Sequence, residues 1–167
     1  MHQIFPRYFV SMHKTAVAPS TPVQPRSSLD TWLDLERTAS VHMTSEDPHR
    51  PFENALSPCE TEGWHASEPG PHTIRVKFDK PTSIRRIHLE FREPHFERSQ
   101  EFTLYAIVGG RRRHIVRQQW TFSPDGSTRE VEDYTVNLPA VSAIEVRIDP
   151  DRHNHRAFAS LQSLAIA

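Results

Sequence analysis

Thr73-Ile74-Arg75-Val76-Lys77-Phe78 alternates polar and apolar residues at every step, and the same beat returns in Ile87-His88-Leu89-Glu90-Phe91. Tyr134-Thr135-Val136-Asn137-Leu138 and Ile144-Glu145-Val146-Arg147-Ile148 repeat it. A period of two places one set of side chains in a core and the other in water, the pattern of half-buried strands. Phe102, Leu104 and Ala106, the stretch 115–122 with Trp120, and a less regular apolar stretch at 157–166 read as further strands. An earlier strand is expected at 39–44. The spacing is roughly ten residues, and no helix-sized segment intervenes. That rhythm predicts an all-β fold, an antiparallel β-sandwich, and argues against a parallel α/β sheet.

Working outward from the strands, Ser28-Leu29-Asp30-Thr31-Trp32-Leu33-Asp34-Leu35-Glu36-Arg37 predicts a short N-terminal helix. Ser28 or Asp30 would cap it, and Leu29, Trp32 and Leu33 would form its apolar face. Residues 1–29 differ from the rest: Pro6, Pro19, Pro22 and Pro25 stand among Ser and Thr, with three basic residues and no acid. Such a stretch buries too little apolar surface to offset its ordering entropy, so it is expected to be a disordered N-terminal extension. The domain is then 30–167, with a net charge of −4.

The full chain of 167 residues is 36% hydrophobic and 25% charged, with a mean hydropathy of −0.62 and a formal charge of −1. No stretch approaches the ~18 apolar residues of a spanning helix. The near-neutral balance argues against general nucleic-acid or membrane-surface binding. Five glycines leave little room for phosphate-cradling loops. Cys59 is the only cysteine, so there is no internal disulfide, and the N-terminus lacks the apolar core of a secretory signal. These features point to a cytoplasmic protein.

If successive strands are antiparallel, the short connections 79–83, 109–113 and 139–142 share one end of the sandwich. The long ones, 57–72, 92–99, 123–129 and 149–156, share the other. That long-loop end gathers Trp64, His65, His72, His95, Arg98, Arg152, His153 and His155. Loops held by a rigid scaffold are where binding residues concentrate, so Trp64, His65, His95, Arg98, Arg152, His153 and His155 form the candidate ligand-binding set. Trp64 reads either as a platform for a sugar ring or as a hydrophobe plugging the sandwich end.

Enzyme signatures are absent: there is no G-x-S-x-G, P-loop, G-x-G-x-x-G or H-E-x-x-H. His153-x-His155 places two imidazoles on one side of an extended segment. A metal centre needs further ligands, and His65, His72 or His95 would supply them only if the loops converge. The expectation is therefore a non-enzymatic binding module without a metal or cofactor, with a metal-dependent hydrolase as the weakest reading. Arg111-Arg112-Arg113 after Gly109-Gly110 reads as a solvated hairpin tip, or as a basic patch through which an intracellular adaptor docks a protein partner.

Asn54-Ala55-Leu56, Gly63-Trp64-His65-Ala66-Ser67, Ile74-x-Val76-x-Phe78-Asp79-x-Pro81-x-x-Ile84 and Ile87-x-Leu89 together resemble the first half of a discoidin (coagulation-factor C-type) domain. Ile144-Glu145-Val146-Arg147-Ile148 with Pro150, then Ala159-Ser160-Leu161 and Leu164-Ala165-Ile166, resemble its ending. The resemblance implies a galactose-binding-like jelly roll of about eight strands, with ligands held by loops at the end opposite the termini and carbohydrate as the leading class. It also implies Trp64 and His65 in the binding region. Where members of the family often bind structural calcium, this chain has Ser57-Pro58-Cys59-Glu60, so the usual carboxylates are missing.

Overall fold

The computed structural model describes residues 31–57 and 62–167. The expected extension 1–29, the start of the expected helix, Cys59 and most of the departing calcium-loop segment lie outside the described residues. In chain order the described residues form α1 (Leu35–Thr38), β1 (Ala39–Met43), α2 (Glu53–Leu56), β2 (Trp64–Pro69), β3 (His72–Arg92) and β4 (Arg98–Val108). Then come β5 (Arg111–Phe122), β6 (Arg129–Asp149), β7 (Phe158–Leu161) and β8 (Ser163–Ile166).

The two longest strands are the frame. β3 and β6 pair antiparallel along their whole length, from His72 opposite Ile148 to Arg92 opposite Arg129. The first half of β3 also pairs with β1, and the second half of β6 with β4, whose other neighbour is β5. This makes a five-stranded layer in the order β1-β3-β6-β4-β5. The second half of β3 lies between β8 and the first half of β6, giving a smaller layer. The layers face each other: Phe91 of the smaller stacks on Phe102 of the larger, ring centroids 5.1 Å apart. The fold is a mostly antiparallel β-sandwich.

The core follows from the alternation. Ile74, Val76 and Phe78, then Ile87, Leu89 and Phe91, then Ile144, Val146 and Ile148 are all buried. Each such side chain contributes about 1.5–3 kcal/mol by leaving water. Gly109 and Gly110 both have positive φ, 57° and 75°, the backbone of the tight hairpin expected between β4 and β5.

Three expectations are corrected. The turns at 79–83 and 139–142 do not reverse the chain; they are bends where β3 and β6 pass together from one layer to the other. The ladder resumes across them, Lys77 opposite Ala143 and Thr82 opposite Val141. Pro81 and Pro139 have no N–H to give the ladder, and Ala140 takes φ 52°, so the strands deform here. The expected helix begins later, at Leu35. Asp34 is its cap and accepts from the Arg37 N–H at 3.3 Å, while the expected caps Ser28 and Asp30 lie outside the described residues. Leu33 instead donates its N–H to Ile166 O at the β8 edge (2.8 Å), and Trp32 lies edge-on to His88. Finally, the long approach at 57–72 contains a strand, β2, paired with β7.

Candidate functional site

Because both bends lie at one end, the far ends of the β3–β6 ribbon put the long connections together at the other. Glu93 N–H donates to Thr128 O (2.9 Å), Arg152 N–H to Ser99 O (2.9 Å) and Gly70 N–H to Ala157 O (2.9 Å). Between these loops is a cleft of about 780 Å³. Its walls include Arg50, Glu62, His65, the 92–98 segment, Asp151, Asn154, Arg156, Phe158, Ser160 and Gln162.

The sequence set divides here. His65, His95 and Arg98 line the cleft. Trp64 does not: its exposure is 0% and it packs in the core, which removes it as a stacking platform. The alternation of β2 decides this, sending Trp64 and Ala66 inward and leaving His65 half-buried on the other side. Gly63 brings the chain so close to β7 that a Cβ there would lie 2.3 Å from Leu161 O. Arg152 turns away, donating to Gln119 Oε1 (3.2 Å) and pairing with Glu101 (3.4 Å). His153 and His155 are exposed and outside the cleft walls.

His65 is built into a relay. Arg50 clasps Asp47 Oδ2 through Nε (2.9 Å) and Nη2 (2.7 Å), then donates from Nη1 to His65 Nδ1 (3.2 Å). Arginine only donates, so Nδ1 is the acceptor and the ring proton sits on Nε2, donating to Glu62 O (3.2 Å). Burial, then the Arg50 charge, hold the imidazole below the usual histidine range. His65 is thus a neutral, oriented ring.

Arg98 has a structural part. It is buried, with Nη1 on Pro150 O (2.9 Å) and Nε 3.1 Å from Glu93 Oε2. Burial lowers its pKa, while Glu93 and Asp151 oppose that shift. Glu93 Oε1 in turn accepts from the N–H groups of His95 (2.9 Å) and Phe96 (3.1 Å), shaping the 93–97 loop. Arg98 therefore ties the 93–97 loop to the loop after β6 and presents little charge to a ligand.

Two residues went unnoticed in the sequence. Phe96 and Phe158 are large exposed hydrophobes, 69% and 49% exposed, and both line the cleft. Phe158 stands opposite Pro69 where the β2–β7 register shifts. The 157–166 stretch reads as a final strand, so this ring passes for core. Its placement in the first position of β7, with burial beginning only at Ala159, is a tertiary fact.

The described histidines do not assemble a metal centre. His72 is spent on Thr44 Oγ1 (2.9 Å) and Glu68 O (2.9 Å). Among the described residues no group of three or more His, Cys, Asp or Glu side chains is placed to hold a metal ion. The triple arginine also separates. Strand alternation sends Arg112 to the outer face of the larger layer, over Tyr105 at 5.0 Å and on Glu145 at 3.0 Å, while Arg111 and Arg113 fall on the opposite face.

No family model matches the sequence, and no curated protein matches it. Solved structures do match the fold. The family 32 carbohydrate-binding module of C. perfringens NanJ, in complex with galactose, superposes with a TM-score of 0.56 at 19% identity, covering 77% of this chain and 97% of that one. A family 32 module from Clostridium perfringens in complex with GalNAc-β-1,3-galactose gives 0.61 at 16% identity, covering 81% and 99%. The fold is a galactose-binding-like jelly roll. A pectin-binding carbohydrate-binding module shares this jelly roll at a TM-score of 0.56 and 16% identity, over 78% and 90%. In the present jelly roll the loop-end cleft lies opposite the bends, where β3 and β6 change layers.

Proposed function

We propose that the protein is a carbohydrate-binding module that holds its ligand in the loop-end cleft, one saccharide ring lying against Phe158. The exposure of that ring beside a fixed, neutral His65 carries the reading. An aromatic face covers the C–H face of a sugar, and planar polar groups at its margin meet the hydroxyls. Asn154, Arg156 and Gln162 supply further donors and acceptors in the same walls. The cleft volume falls in the ordinary range for small-ligand sites. Fold neighbours bound to galactose and to GalNAc-β-1,3-galactose support the ligand class.

The role is binding rather than catalysis. Of the four acids in the cleft walls, Glu93 is committed to Arg98 and two loop amides and Asp151 to the His153 N–H at 3.0 Å, while Glu62 and Glu97 are exposed to solvent at its margin.

A glycan array followed by calorimetry on the best hit tests this. Phe158→Ala and His65→Ala should each abolish measurable binding while thermal unfolding stays near wild type. No binding above background, or binding indifferent to both substitutions, would discard the reading.

A further inference from the structure

The outer face of the five-stranded layer is a second surface, separate from the cleft. Strand registers set its outward residues in four rows across the layer. The first holds Lys77, Ala143, Ile107 and Arg112, and the second His42, Arg75, Glu145, Tyr105 and His114. Thr73, Arg147, Thr103 and Arg117 make the third, and Asp149, Glu101 and Gln119 the fourth. His42, Arg75, Lys77, Arg112, His114, Arg117 and Arg147 of these rows are exposed.

The charge on this face is unbalanced. Glu145, buried at 3% exposure, is shared by Arg75 and Arg112, the latter at 3.0 Å. Glu101 is likewise shared by Arg117 (2.9 Å) and Arg152 (3.4 Å). Each carboxylate thus holds two guanidiniums in place and neutralises only one. Lys77 and Arg147 are exposed and form no ion pair among the described residues. Five cations of these rows, and Arg152 reaching Glu101 from the loop after β6, face three acids, although the described residues as a whole are net acidic. Rows two residues apart are about 6.8 Å apart along the strands, so the band runs about 20 Å.

We infer that this face binds an acidic polysaccharide, a linear chain whose carboxylate or sulfate groups lie along the band. Guanidiniums already oriented by a buried carboxylate lose little freedom on meeting a planar anion, and the Arg75 and Arg112 side chains remain about half exposed. The surface is flat and offers no stacking platform for bases: Tyr105 is half-buried beneath Arg112. That favours a polysaccharide over a nucleic acid. Attraction of this kind is long-ranged and weakened by salt.

The test is binding of the full chain to heparin, polygalacturonate and neutral galactan at low and moderate salt, with poly-dT and polyglutamate as other polyanions. One or both acidic polysaccharides should bind, more weakly as salt rises, and galactan should not bind through this face. Lys77→Glu/Arg147→Glu breaks no ion pair and should weaken that binding at least 10-fold. Lys77→Gln/Arg147→Gln should give a smaller loss and Phe158→Ala none, which keeps this surface distinct from the cleft. Failure to bind either acidic polysaccharide overturns the inference. So does equal binding by the charge-reversed protein, loss on Phe158→Ala, or stronger binding of poly-dT or polyglutamate.

Discussion

Arg50 Nη1 donates to His65 Nδ1 across 3.2 Å, and the same guanidinium is anchored on Asp47 at 2.7 Å. The ring beside it is therefore asked to remain an acceptor. Its pKa is lowered, first by burial and then by Arg50, so the folded protein binds the proton less readily than the unfolded chain. Stability from this group is complete above the ordinary histidine range and falls as pH drops through it. Saccharide binding should weaken only at lower pH, where the folded ring itself takes up the proton. Nuclear magnetic resonance titration of the His65 ring should give a midpoint below 6.5; a midpoint above it removes the relay.

Glu130 gives the opposite slope. It is buried on the core-facing side of β6, opposite Phe91, with neither carboxylate oxygen hydrogen-bonded. Burial and then the neighbouring Glu132 raise its pKa from 4.5 to about 8. The folded state keeps a proton that the unfolded chain gives up, so stability from this group falls as pH rises from 4.5 toward 8. The loss is up to about 1.4 kcal/mol per pH unit within that window. Glu130→Gln should flatten it, as read from denaturant midpoints at pH 5.5 and 7.5.

Gly63 is held by its neighbours as much as by its own backbone. Its φ is 71°, and a Cβ would stand 2.3 Å from Leu161 O and 2.6 Å from Gln162 Cα. Both contacts are to backbone, which cannot swing aside. Gly63→Ala should cost at least about 2 kcal/mol and separate β2 from β7, and hence His65 from Phe158. A denaturant midpoint within error of wild type would show that the strands yield.

Trp64 and Phe158 should respond in opposite ways. Trp64 is fully buried, so Trp64→Ala should cost about 3–5 kcal/mol and disturb binding only through the fold. Phe158 is half exposed, so Phe158→Ala should cost less than about 1 kcal/mol and still remove the saccharide. Paired calorimetry of unfolding and of binding separates the two; a stable Trp64→Ala protein that has lost binding would reverse the assignment.

The strands are legible in the order of the residues. The alternation at 73–78, 87–91, 134–138 and 144–148 depends only on which residues are apolar, and a half-buried sheet demands that pattern. The Gly109-Gly110 hairpin is equally local, since few residues accept two successive positive φ values. The bends at Pro81 and Pro139 are not local: a turn and a corner share the same residues, and only the pairing of β3 with β6 distinguishes them.

The binding set shows the same division. Sequence alone marked the long connections that carry His65, His95 and Arg98, because the hydrophobic period sets where strands begin and end; that these connections share one end was decided by the pairing of β3 with β6 through their bends. Which aromatic ring stands exposed in the cleft was decided by tertiary structure. Trp64 goes inward because Gly63 docks β2 against β7, and Phe158 stays in solvent because it lies at the first position of β7, beyond the cover of the core. Burial is a property of what surrounds a side chain, and those surroundings come from residues far away in sequence.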